Sequence, residues 1–141
     1  MAINVNRVIV GGLVAGVVAN VCDTVWGLTV LQADMAEMTK KFGLSEEHMM
    51  SAAGMLPWIM ADFVIGLVVV WNYAAIRARF GPGPKTALVA ALPPYIAVSA
   101  VIYGFTSMGM MTPGAFVKGT LTSLVSVMLA SVAGAFVYKE D

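Results

Sequence analysis

Four long apolar stretches constrain this chain more than any other feature. They run from about Arg7 to Leu31, Pro57 to Ile76, Thr86 to Ser107 and Pro113 to Val137. The hydrocarbon core of a bilayer, about 30 Å thick, needs about 20 mostly apolar residues per helix. No water is available there for backbone polar groups, so each stretch must satisfy its own and fold as a helix. Together the stretches occupy most of the 141 residues. The expected fold is therefore all-α, a single domain over residues 1–141 built as an integral bundle of four transmembrane helices. Composition agrees. Charged residues make up 11% of the chain, against about 25% in a soluble domain, and 60% of residues are hydrophobic. That balance excludes a water-soluble domain and equally excludes disorder.

The first stretch is too long for the apolar part of a secretory signal, which spans about 7–15 residues. It reads as a true transmembrane helix. Cys22 is not preceded by the small residues of a lipoprotein site and reads as an inert small side chain.

Lysine and arginine in short loops set the orientation. The loop between the second and third stretches, Arg77-Ala-Arg79-Phe-Gly-Pro-Gly-Pro-Lys85, carries three cations and no acid. That end is expected in the cytoplasm, with Arg7, Lys139 and both termini. Lys40, Lys41 and Lys118 fall on the other side, as do the acids Asp34, Glu37, Glu46 and Glu47. Trp58, Trp71, Tyr73 and Tyr138 lie near span ends, where aromatic rings either anchor at the headgroups or pack between helices.

Proline and cap residues mark the boundaries. Gly81-Pro-Gly-Pro84 makes a short stiff loop. Thr112-Pro113 reads as an N-cap with proline at the first helical position, and Pro57 is expected to open the second span in the same way. Pro93-Pro94 falls inside the third span and should kink it. The carbonyls near Val89 and Ala90 then need other donors. The segment from about 32 to 55 is expected to form two short helices on the extracytoplasmic surface, with Ser45 capping the second.

Small residues mark helix contacts in lipid. Gly12 and Gly16 form one such stripe, and Ser126, Ala130 and Gly134 another at similar depth. The first and fourth spans are expected to pack together there, within one chain or between copies.

Charges within the spans carry the most functional information, because a lone carboxylate in hydrocarbon is costly and usually faces a partner. At 1.5 Å per residue, Asp23 and Asp62 lie roughly 5 Å and roughly 7 Å beyond the span midpoints on the same side. Tyr103 and Lys118 fall at a similar level, with Asn20, Thr24 and Trp26 nearby. One reading locks the bundle structurally, with Lys118 on one Asp and the other Asp protonated or bonded to Tyr103. The other makes the layer a proton- or cation-handling site open to the outside. Asn72 is expected to bond a neighbouring helix.

Methionines crowd the same side. His48, Met49, Met50, Met108, Met110 and Met111 could meet above the bundle, and thioethers select Cu(I). Equally, methionine fills irregular gaps. The zero formal net charge argues against nucleic acid as a partner. One cysteine excludes an internal disulfide or a redox pair, and one histidine excludes a bis-histidine haem. No triad or phosphate loop is present. No enzymatic activity and no cofactor are expected.

The stretch from Tyr73 to Ala87, with its Arg-Ala-Arg-Phe-Gly-Pro-Gly-Pro-Lys loop, and the opening Asn6-Arg-Val-Ile-Val-Gly-Gly-Leu-Val-Ala-Gly16 resemble a group of small bacterial four-helix membrane proteins of no assigned activity. The resemblance implies a bacterial inner membrane and the four-helix layout, and it carries over no site residues. Small size, packing stripes and the missing reaction centre favour an accessory or scaffold subunit, partnered by lipid and by a larger complex or copies of itself. A small transporter using Asp23 and Asp62, and a Cu(I)-binding protein, are the alternatives.

Overall fold

The computed structural model describes residues 3–139, in which six helices follow one another: α1 (Val5–Thr29), α2 (Gln32–Lys41), α3 (Glu46–Met50), α4 (Ala52–Phe80), α5 (Pro84–Ser107) and α6 (Pro113–Val137). The four long ones, α1, α4, α5 and α6, are each long and apolar enough to cross a membrane. They form a ring in which α1 and α5 each pack against both α4 and α6, while α4 and α6 also touch across the middle. Both described chain ends and the α4–α5 loop share one end of the bundle. There the Asn4 amide donates to the Tyr138 hydroxyl. The short helices α2 and α3 sit at the opposite end.

Local chemistry starts each helix. The Asn4 side chain accepts from the Arg7 amide, Ser45 from His48, Ser51 from Gly54 and Thr112 from Ala115, the bond that a cap residue supplies to a helix's orphan N–H groups. Pro57 does not open its helix. The Ser51 cap starts α4 a full turn earlier, and Pro57 lies inside it. The span begins near Pro57, but the helix projects beyond it. At the other end, Gly81 and Gly83 both take positive φ, 82° and 134°, and this turns the chain sharply around Pro82. Thr86 Oγ1 donates to the Gly81 carbonyl at 2.7 Å, and the Gly83 amide donates to the Tyr73 hydroxyl, so the loop is tied to both helices it joins.

The core fills only the half of the bundle nearer the termini. Its centre is made of small and β-branched residues, among them Ala15, Val69, Val70, Ala87, Ala91 and Ala130. Ser131 is buried there and donates to the Ala87 carbonyl at 2.7 Å. Close approach of backbones explains the density, since helices in lipid associate through packing rather than through exclusion of water. A Cβ on Gly66 of α4 would stand 2.5 Å from the Gly12 carbonyl oxygen and 2.6 Å from the Gly16 nitrogen of α1. A Cβ on Gly134 of α6 would stand 2.7 Å from the Gly11 carbonyl oxygen.

The stripes therefore serve two interfaces. Gly12 and Gly16 face Gly66, Leu67 and Phe63 of α4, whereas Gly11 and Ala15 meet Gly134 of α6. Spans one and four do pack within one chain, through the neighbouring face of α1 rather than through Gly12 and Gly16. The tyrosines also turn inward. Tyr73 and Tyr138 are buried, with rings edge to face and centroids 6.0 Å apart. Trp58 and Trp71 are exposed on the bundle surface.

Candidate functional site

Burial stops abruptly along each helix. In α1 no described residue beyond Ala19 is buried, in α4 none before Gly66, and in α5 none after Ala91. In α6 only Ala115 is buried before Ser126. The limit in α5 falls at the Pro93-Pro94 pair. Proline at 94 has no N–H to give the Ala90 carbonyl, and Asn72 of α4 donates to that carbonyl instead, at 3.3 Å. The substitution lets α5 remain a continuous helix and ties it to α4 at the level where close packing ends.

A cavity of about 30 Å³ sits just above this limit. All four long helices contribute to its lining, with Asp23 from α1, Asp62 from α4, Pro94 and Tyr95 from α5, and Ser123 and Ser126 from α6. Its volume accommodates about two water molecules. The packed core lies on its side nearer the termini. Asp62 is half-buried and Asp23 is exposed.

Asp23 and Asp62 both line this cavity, from α1 and α4. Ser126, only 3% exposed, donates its hydroxyl to Asp23 Oδ1 at 2.5 Å. The Trp26 indole in turn donates to Ser126 Oγ at 3.1 Å. Tyr95 donates its hydroxyl to the Thr120 carbonyl, so its polar tip is engaged with α6.

Lys118 and Tyr103, expected in this layer, lie elsewhere. Lys118 meets neither aspartate but forms an ion pair with Asp34 of α2, 2.8 Å apart. The reason is geometric: counting depth at 1.5 Å per residue from Pro113 assumes that all helix ends are level, yet α6 rises past the end of α1 to meet α2. Tyr103 is exposed and its ring packs edge-on against Phe116 at 5.6 Å. Asn20 donates to the Gly16 and Ile59 carbonyls and so bridges α1 to α4 beside the cavity. Conversely, Ser126, expected as a packing residue, donates to Asp23; nothing in the sequence marks it, since serine packs as readily as Ala or Gly in a membrane helix.

The methionines lie at the α2–α3 end on several elements. Met49 accepts a hydrogen bond from Thr39 of α2, Met50 and Met108 project outward, and Met110 borders a small cleft with Asp34, Met38 and Lys41. His48 lies on α3, which packs against α4. The turn carrying Met108, Met110 and Met111 is held to α2 by Lys41, whose ammonium donates to the Gly109 carbonyl at 2.6 Å. Among the described residues, no group of three or more His, Cys, Asp or Glu could hold a metal ion. At the other end, Arg77 stacks over the Tyr138 ring at 5.6 Å, while Arg79 and Lys85 are exposed.

Comparison of the chain with protein-family models, with curated proteins and with solved structures finds no match to any of them.

Proposed function

We propose that this small integral membrane protein binds protons or small cations at the Asp23–Asp62 pair and serves their movement across the membrane. The observation that carries this reading is the placement of two carboxyls, from α1 and α4, in one cavity lined by all four long helices. Ionisable groups inside a membrane bundle mark ion and proton pathways. The cavity is too small for a metabolite and suits a proton or one small ion with water.

The lysine and arginine distribution supports an extracytoplasmic position for the α2–α3 end, in a bacterial inner membrane. The Gly12, Gly16, Gly66 and Gly134 surfaces make contacts within the chain, so a scaffold role would use other faces of the bundle.

Proton uptake tests the reading. Purified protein in nanodiscs is taken through a pH step with a soluble indicator dye. Uptake by the unaltered chain should exceed that of the Asp23→Asn/Asp62→Asn double variant, and Lys118→Gln should match the unaltered chain. Equal uptake by the double variant, with its fold retained, and no sodium or potassium binding would refute the proposal.

A further inference from the structure

We infer that the hydrogen-bond chain from Trp26 through Ser126 to Asp23 gives the two carboxyls unequal roles: Asp23 is a fixed acceptor, and Asp62 takes up and releases the proton. The inference rests on the ion-handling reading above and deepens it by naming the proton as the ligand and Ser126 and Trp26 as positioning residues.

The polarity of the chain follows from elementary hydrogen-bond chemistry. An indole N–H can only donate, and a serine hydroxyl has one proton to give. Trp26 Nε1 lies 3.1 Å from Ser126 Oγ, so Ser126 accepts there and directs its own proton elsewhere. The group in reach is Asp23 Oδ1, at 2.5 Å. Ser126 is 3% exposed, so its hydroxyl is shielded from bulk solvent. Asp23 therefore receives a donor, and a donated hydrogen bond of this kind stabilises negative charge on the acceptor.

Asp62 differs. Among the described residues, no hydroxyl, amide or indole donates to it. A carboxyl that receives a donated hydrogen bond holds its negative charge better than one that receives none, so of the two the proton is assigned to Asp62.

No other titratable group competes. Tyr95 faces the cavity from α5 but donates to the Thr120 carbonyl. The α6 contribution is Ser123 and Ser126, and Lys118 is paired with Asp34. Cys22 neighbours Asp23 along α1 and is absent from the cavity lining.

The same surroundings favour a proton over a metal cation. Cation sites in membrane bundles draw on carbonyls released where helices unwind. Here the carbonyl released at Pro94, that of Ala90, is taken by Asn72. Hard divalent cations need about six to eight oxygen ligands, far more than two carboxyls and a serine provide.

Carbodiimide labelling tests the assignment, because the reagent requires a protonated carboxyl. The full chain in nanodiscs is labelled with dicyclohexylcarbodiimide and the modified residue identified by peptide mass spectrometry. The label should fall on Asp62. In Ser126→Ala, labelling of Asp23 relative to Asp62 should rise about fivefold, the effect of losing one hydrogen bond, and in Trp26→Phe, where Ser126 loses only its orienting donor, it should rise by less. Ser126→Thr, which keeps the hydroxyl, should restore the original pattern. Retained elution volume and helicity establish that each variant is folded.

Labelling mainly on Asp23 in the unaltered chain would overturn the assignment while leaving the ion-handling reading standing. So would a distribution unchanged in both positioning variants, or protection by sodium at constant pH. Absence of label on either carboxyl at every pH tested would overturn both.

Discussion

Removing the side chain that compensates Pro94 should destabilise the bundle, and removing Pro94 as well should cancel the damage. Asn72 Nδ2 reaches the Ala90 carbonyl at 3.3 Å, on the long side of an N–H···O bond. Interhelical hydrogen bonds in membrane proteins average about 0.6 kcal/mol and reach about 1.7 kcal/mol. A buried carbonyl left without any donor loses about 1–3 kcal/mol. Ala90 is fully enclosed, so Asn72→Leu should lower stability by about 1–2 kcal/mol. In a Pro94→Ala background, residue 94 regains an N–H for the Ala90 carbonyl, four residues back along the helix. Asn72→Leu should then be worth less than about 0.5 kcal/mol. The assay is a double-mutant cycle measured by reversible denaturation in mixed micelles. A coupling of about 1 kcal/mol is expected. Strictly additive changes would refute the claim that Asn72 acts by replacing the bond that proline removes.

Glycine positions offer a second check with opposite signs. Gly66→Ala would push a Cβ to 2.5 Å from the Gly12 carbonyl oxygen, and overpacking of that kind should destabilise by about 2–3 kcal/mol. Gly104→Ala makes the same chemical change where nothing lies within 4 Å, and helix propensity should then raise stability by up to about 1 kcal/mol. Equal effects in a thermal-unfolding comparison would contradict the packing described. Lys118→Gln breaks the Asp34 ion pair, in which the lysine is half exposed. It should change stability by less than about 1 kcal/mol, with high salt reducing the difference further. A much larger loss, measured in the same unfolding assay, would show that α2 is anchored chiefly by this pair.

Much of the architecture is legible in the residues. Span number, the Ser45 and Thr112 caps and the two short helices follow from hydropathy and cap chemistry acting locally. So does the need for a donor near Ala90, although the identity of that donor depends on which helix lies alongside. What escapes is relative height and rotation. Lys118 comes level with Asp23 only if every helix ends in one plane, and the rise of α6 towards α2 breaks that assumption. Gly12 and Gly16 sit about 100° around α1 from Gly11 and Ala15. Both faces are small enough for close approach, so periodicity does not tell which meets α4 and which α6. Asp23 and Asp62 stand out as costly charges in any apolar stretch. Ser126 does not, because serine is also an ordinary packing residue in a membrane helix. Its role depends on Trp26, one hundred residues away in the chain.

The most direct test of the central claim is flux across a sealed membrane. The protein is reconstituted into liposomes carrying an internal pH indicator, and a proton gradient is imposed with the membrane potential clamped. Protein-dependent proton movement is predicted for the unaltered chain, with loss in Asp62→Asn and retention in Lys118→Gln. Movement that persists undiminished in the folded Asp62→Asn variant would contradict the account.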